Sequence, residues 1–209
     1  MPQYWPTVSG GVQFVPLGAQ CLTRRKVEAM LNKSLNSCCL YGAAVIEVQA
    51  LVNRPRFRSY QCKRQELVEV EPKLPSGVNE RWLWHGTSGG LINSIAENGL
   101  LRDYNSVSLY GRGTYFAKNA EYSLNPRYTP DEPDGTCNLL LCRVLLGESC
   151  TGKQGMERPD TKPGSSRLYE SMVNSRSDPT IFVLSAGSDN QCYPEFLLKL
   201  RVRRPPGTQ

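Results

Sequence analysis

Histidine is almost absent from this chain of 209 residues, which contains only His85. A two-histidine zinc helix or a haem site uses histidine as a ligand, and a serine or cysteine triad uses it as a base. All of these sites would have to share the same imidazole. We therefore expect any chemistry here to depend on one imidazole, tyrosines and backbone groups. A lone histidine is more often a core residue with both ring nitrogens hydrogen-bonded, and this simpler alternative stays open.

Long apolar runs, a signal pattern and paired cysteine motifs are absent too. No apolar stretch approaches the roughly 20 residues that cross a bilayer, and the polar N-terminal segment lacks a charged-then-apolar signal. The eight cysteines include no Cys-x-x-Cys pair, which argues against zinc and favours free, mostly buried thiols. We expect an intracellular protein of the cytoplasm, the nucleus or both, with no metal and no membrane partner.

The bulk composition is that of an ordinary globular protein. Hydrophobic residues make up 39 % of the chain and charged residues 21 %, and no long polar linker divides it. We therefore expect residues 1–209 to form one domain. The formal net charge of +6 favours polyanions only weakly, so we expect no specific nucleic-acid binding.

Hydrophobic periodicity predicts helices early in the chain and strands later. Helices are predicted over 22–32, from about Phe57 to Val68, and between the capping residue Ser88 and the stop at Gly99. Strands are predicted at 45–52, 137–147, 180–185 and 193–202. This order favours an α+β fold with antiparallel sheets.

Three short motifs follow one another along the chain. Residues 82–87 read Trp-Leu-Trp-His-Gly-Thr, residues 110–117 read Tyr-Gly-Arg-Gly-Thr-Tyr-Phe-Ala, and residues 193–197 read Tyr-Pro-Glu-Phe-Leu. In this order the chain resembles the catalytic domain of the poly(ADP-ribose) polymerase family, the diphtheria-toxin-like ADP-ribosyltransferases. The resemblance covers nearly the whole chain and is closest to the mono-ADP-ribosyltransferase members. It implies the ADP-ribosyltransferase fold, with two packed, mainly antiparallel sheets, surrounding helices and a central NAD cleft.

Two other glycine motifs do not support different nucleotide chemistry. Residues 147–154 nearly spell a phosphate-binding P-loop, but Gln154 stands where a Ser or Thr hydroxyl must bind magnesium. Residues 111–113 match half of a dinucleotide-binding fingerprint, but Phe116 replaces its third glycine. The sequence therefore favours neither triphosphate hydrolysis nor hydride transfer, while NAD binding remains compatible with it.

The resemblance implies a nicotinamide site made of small and aromatic residues. Ser123 would donate its hydroxyl to the nicotinamide carboxamide, and the backbone of Gly86 would supply the remaining hydrogen bonds. Tyr115 and Tyr128 would stack on the ring, because flat aromatic walls suit a flat cationic ring. Gly86 also removes a side chain at a place where backbone and ligand would meet closely.

The same resemblance places the adenosine half of NAD on the other side of the cleft. His85 would hydrogen-bond the adenosine ribose hydroxyls rather than act as a general base. Arg102 or the 103–110 loop, which ends at Tyr110, would cover the adenine. NAD is thus implied as a co-substrate, and no metal is implied.

Ile181 marks a departure from the polymer-forming members, in which a glutamate opens this late strand. Isoleucine cannot polarise an attacking ribose hydroxyl, a contribution typically worth about 10²–10⁴-fold in rate. With His85, Tyr115 and Ile181 as the catalytic trio, the resemblance implies transfer of one ADP-ribose from NAD to acceptor proteins, itself among them, with release of nicotinamide. A carboxylate could attack without losing a proton, so an acidic acceptor is the working hypothesis.

Two alternative functions stay open. The first is a catalytically inactive module that binds NAD or ADP-ribose. The second is a poly(ADP-ribose)-forming enzyme in which Ile181 is misaligned and Glu195 or another carboxylate faces the ribose, because a one-residue slip reverses the faces of a strand.

Overall fold

The computed structural model describes residues 2–6, 11–35, 42–70, 78–100 and 108–203. These residues form four α-helices, α1 Leu22–Leu35, α2 Arg54–Val70, α3 Ile92–Asn98 and α4 Ala120–Ser123. The strands are β1 Gln13–Pro16, β2 Gly42–Val52, β3 Glu80–Thr87, β4 Thr114–Ala117, β5 Cys137–Leu145, β6 Ser149–Thr151, β7 Ser171–Val173, β8 Ile181–Leu184 and β9 Cys192–Arg203. The expected α+β class is confirmed.

The strands form one nine-stranded sheet in the order β1-β2-β9-β5-β3-β4-β8-β7-β6. All neighbours run antiparallel except β6 and β7. The family resemblance implies two packed sheets, whereas in the structure two groups of strands are joined through one bridge between Trp84 of β3 and Ala117 of β4. On its other side β3 pairs with β5 over its whole length, from Glu80 opposite Leu145 to Thr87 opposite Asn138. A single bridge leaves no periodic signal in the sequence, so this link could not be predicted.

Strand β3 is buried on both faces, because its consecutive side chains enter different clusters of the core. Leu83 packs with Phe116 and with Ile95 of α3. Trp84 packs with apolar residues of α1 and α4. Side chains alternate across a strand, so His85 shares the face of Leu83, and Gly86 shares the face of Trp84. The fold therefore sends these two consecutive residues towards different parts of the molecule.

The predicted helices are present, with differences at a few positions. Helix α2 buries its expected stripe except for Val68, which is 39 % exposed. The Ser88 side chain makes no capping hydrogen bond, and a 3₁₀ turn at Gly89–Leu91 precedes α3 instead. Gly99 ends α3 with a φ of 79°, the left-handed stop that its position predicts.

Two further expectations can be compared with the described residues. The six described cysteines are free thiols, and four of them are buried. Strand β9 spans the range 193–202 predicted as a strand, and near its end Leu198 and Leu200 are buried while Arg201 is exposed. Within the described ranges, no helix combines the length and the apolar character that crossing a membrane requires.

Candidate active site

His85 stands where β3 and β4 separate. The two strands pair at Trp84 and Ala117, and directly beyond this bridge the His85 Nδ1 lies 2.7 Å from the carbonyl oxygen of Tyr115. A carbonyl can only accept, so Nδ1 carries the proton and donates, which leaves Nε2 as an acceptor. Desolvation lowers the pKa of His85, so the imidazole is neutral at pH 7. Nε2 has no hydrogen-bond partner among the described residues.

The Tyr115 ring is fixed by its own hydroxyl. This hydroxyl donates to the carbonyl oxygen of Gly111 at 2.7 Å and accepts from the backbone N–H of Tyr110 at 3.0 Å. Burial raises the pKa of Tyr115, so the hydroxyl stays protonated. The glycine-flanked turn before β4 therefore serves as an anchor for the ring, which lies partly exposed on the strand that contacts His85.

The space beside Gly86 is filled by protein. A Cβ atom at this position would overlap the Thr129 hydroxyl and the Ser123 carbonyl oxygen, and would lie 3.0 Å from the Tyr128 carbonyl oxygen. The Thr129 hydroxyl also donates to the Ser123 carbonyl at 2.6 Å, so these groups hold one another in place. From its position in the sequence this glycine is expected to allow close approach of a ligand, whereas in the structure it is required by packing against residues 123–129.

Ser123 ends helix α4 on the Gly86 side of β3. The residue is 4 % exposed and the described residues give its hydroxyl no hydrogen bond, but this oxygen is not one of the fully buried unpartnered atoms, which are the Tyr4 hydroxyl and the Trp5 indole nitrogen. Ser123 Oγ and His85 Nε2 are thus two unused polar atoms on residues that flank the separation of β3 and β4.

A cavity of about 550 Å³ has mainly tyrosine and amide walls, and its described lining includes none of His85, Gly86, Tyr115 and Ser123. Tyr128 does face it, but its ring stacks on Tyr122, with centroids 5.3 Å apart and an interplanar angle of 23°. The two hydroxyls are 3.2 Å apart. Burial raises the pKa of Tyr122, so this hydroxyl stays protonated as well. Tyr110 lines the same cavity, which brings three tyrosines together on its wall.

Ile181 is the first residue of β8 and also lines the cavity. It pairs with Ala117 of β4. The Asn174 side-chain oxygen accepts the backbone N–H groups of Thr180 and Ile181, which fixes the start of the strand. The structure thus places an isoleucine, 5 % exposed, at the edge of the cavity.

Glu195 lies elsewhere, in a buried ionic network. Both of its carboxylate oxygens accept hydrogen bonds from the Arg143 guanidinium, and Arg143 also contacts Glu80 at 3.4 Å. Burial raises the pKa of Glu195 to about 8, but the two guanidinium contacts favour the charged form, and we infer an ion pair. Because Arg143 occupies this carboxylate, the alternative in which Glu195 faces a substrate loses its support.

Several residues of the cavity were missed from the sequence. They are Asn119, Glu121, Tyr122, Asn125, Asn174 and Thr180. The only signal for the first four is their position, directly after the aromatic strand β4, since no motif or periodicity marks them. Arg102 and most of the 103–110 loop, which were predicted to cover the adenine, lie outside the described residues, apart from 108–110.

Comparison with known proteins gives the family of the chain. The family model of the poly(ADP-ribose) polymerase catalytic domain matches residues 24–202. Similar human proteins include the protein mono-ADP-ribosyltransferase PARP14, 33 % identical over 74 % of this chain, and PARP12, 30 % identical over 99 % of it. PARP11 is 28 % identical over 95 % of the chain. The chain spans 9 %, 28 % and 62 % of the lengths of these relatives, respectively. It belongs to the poly(ADP-ribose) polymerase catalytic domain family.

Proposed function

We propose that this chain is a single catalytic domain that transfers one ADP-ribose unit from NAD to a protein side chain and releases nicotinamide. The observation that carries the proposal is Ile181 at the edge of the tyrosine-walled cavity, in a chain that keeps His85 and Tyr115. All three relatives described above are named protein mono-ADP-ribosyltransferases. The proposal extends that activity to this shorter chain.

The unused polar atoms of the cleft fit the two ends of NAD. The Ser123 hydroxyl is free to bond the nicotinamide carboxamide, together with the backbone of Gly86. In neutral His85, Nε2 can accept a hydrogen bond from a ribose hydroxyl. Tyr115 supplies an aromatic face of fixed orientation for the nicotinamide ring. We propose that Tyr110 and Tyr128 complete the aromatic wall and that Arg102 covers the adenine.

The reaction breaks the bond between the ribose carbon and the nicotinamide nitrogen. Nicotinamide leaves as a neutral molecule with the bonding electron pair, and positive charge develops on the ribose. The residues of this chain contribute by orienting NAD, because Ile181 has no group that can stabilise charge or accept a proton. Without a carboxylate at this position, elongation of a first ADP-ribose is disfavoured, and transfer stops after one unit.

The inactive-module alternative makes a different prediction for turnover. A binding module would retain Ser123, His85 and Tyr115 without releasing nicotinamide. A chain that binds NAD but releases no nicotinamide would therefore support it. We propose that the protein acts inside the cell on acceptor proteins, itself among them, a location that the free thiols support.

Incubation with labelled NAD tests the proposed function. Products are resolved on a denaturing gel, and the His85→Ala variant is run beside the unaltered protein. Discrete labelled bands that the variant lacks are the expected result. A ladder of high molecular weight would show polymer formation and contradict the role given to Ile181. Binding of NAD by calorimetry without any label or nicotinamide would establish the inactive module instead.

A further inference from the structure

Among the residues that the structure describes, Glu121 is the one charged side chain on the wall of the cavity that Ile181 borders. It lies in the four-residue helix α4, two residues before Ser123, and is half-buried. It forms no ion pair with any residue in the part of the chain that the structure describes. The nearest described cation along the chain, Lys118, is already paired with Asp178 at 3.2 Å. The cavity thus contains a carboxylate whose charge is not compensated by protein.

The neighbours of Glu121 are hydrogen-bonding and aromatic groups. Amides come from Asn119, Asn125 and Asn174, and aromatic faces come from tyrosines. An uncompensated carboxylate attracts a cation and repels an anion, and the effect is larger in a partly enclosed site than on an open surface. An acidic acceptor side chain entering this cavity would meet repulsion, which conflicts with the Asp or Glu acceptor expected from the sequence.

We propose that this cavity is the acceptor subsite and that Glu121 selects a cationic side chain, arginine in the first place. The inference rests on the proposed function, since it assigns the acceptor of the same site. A guanidinium forms paired hydrogen bonds with a carboxylate through its planar fork. It also stacks on aromatic rings better than the ammonium of lysine does. Tyr122 lines the cavity without being part of the aromatic wall proposed for nicotinamide.

The transfer step balances with Glu121 as the proton acceptor. A guanidinium nitrogen forms a bond to the ribose carbon, while the bond from that carbon to nicotinamide breaks. Nicotinamide departs with its electron pair, and the proton lost by the attacking nitrogen passes to the Glu121 carboxylate and then to solvent. Glu121 therefore both positions the arginine and accepts its proton. Ile181 can do neither.

Three matched peptides test the choice of acceptor. They differ only at one central residue, which is arginine, lysine or glutamate, and labelling from NAD is followed for the unaltered protein, Glu121→Gln and Glu97→Gln. Glu97 is an exposed helical glutamate outside the cavity, so its variant is the control. We expect the arginine peptide to be labelled about tenfold more efficiently than the glutamate peptide, and Glu121→Gln to remove most of this preference. Nicotinamide release without peptide should stay unchanged in Glu97→Gln, which leaves the cavity intact.

The possible outcomes separate the two proposals. Preference for the glutamate peptide, or an arginine preference that survives Glu121→Gln, would overturn the acceptor assignment while leaving transferase activity intact. Absence of nicotinamide release from the unaltered protein would overturn the proposed function. In that case calorimetric binding of the arginine peptide to the protein with NAD present still decides the subsite: about tenfold weaker binding by Glu121→Gln supports it, and equal binding refutes it.

Discussion

Replacing Gly86 by alanine should destabilise the protein at the site itself. The added Cβ would overlap the Thr129 hydroxyl and the Ser123 carbonyl oxygen, which are hydrogen-bonded to each other and so cannot move independently. Overpacking of this kind costs about 1–3 kcal/mol, which corresponds to a fall in melting temperature of roughly 2–12 °C for a domain of this size. Displacement of residues 123–129 should also raise the KM for NAD, because Ser123 moves with them.

Gly90→Ala is the matched control for this experiment. An added Cβ at Gly90 meets nothing within 4 Å, and its φ is not in the left-handed range. This variant should melt at or slightly above the temperature of the unaltered protein, since alanine restricts the unfolded chain more than glycine does. Thermal unfolding and nicotinamide release are measured for both variants. If Gly86→Ala unfolds like Gly90→Ala and retains its KM, then the packing argument is refuted.

Three further predictions concern other groups of the site and the core. Ser123→Ala should raise the KM for NAD about tenfold with an unchanged melting temperature, and an unchanged KM would remove the hydroxyl from the site. Arg143→Met leaves the Glu195 carboxylate buried without its guanidinium, so urea unfolding should show a free energy of unfolding lower by about 3–5 kcal/mol. Adding Glu195→Gln should recover much of this loss. Equal stability of Arg143→Met and the unaltered protein would contradict the ion pair. The pKa of His85 is lowered from its ordinary value of 6.5, so activity should stay level down to that pH and fall only below it. Stability should fall in the same direction, because below pH 6.5 the unfolded chain takes up a proton that the folded imidazole resists, and an inflection above pH 6.5 would argue against neutral His85.

Periodicity in the sequence predicted those parts of the fold in which one face of an element is buried. Helices α1 and α2 and strands β5 and β9 were found from apolar residues that recur at helical or strand spacing. The start of β8 at Ile181 was placed by the family resemblance, and the structure has the strand begin there. Local patterns thus sufficed wherever a repeated side-chain contact sets the structure.

The unpredicted features depend on single contacts between distant residues. The bridge of Trp84 with Ala117, the stacking of Tyr122 on Tyr128, and the position of Glu121 on the cavity wall leave no repeating pattern in the chain. Each depends on how β4 and α4 pack against β3, and hence on the whole tertiary arrangement. For the same reason Gly86 was predicted to serve a ligand, because its overlap with Thr129 depends on residue 129 folding back onto β3.

His85 combines the two roles that were alternatives in the sequence, a hydrogen-bonded core histidine and a ligand-binding histidine. One ring nitrogen behaves as in a core histidine, because Nδ1 is hydrogen-bonded to the Tyr115 carbonyl at the point where the ladder between β3 and β4 stops. The other nitrogen has no partner in the described chain and is available to a ligand. The bond to Tyr115 fixes the tautomer, and the tautomer makes Nε2 an acceptor, so the structural contact determines the binding property. A substitution at His85 therefore changes both the packing between β3 and β4 and the nitrogen that would hold NAD. Its effect on labelling has to be compared with its effect on thermal unfolding, because only a loss of labelling without a loss of stability can be assigned to NAD binding.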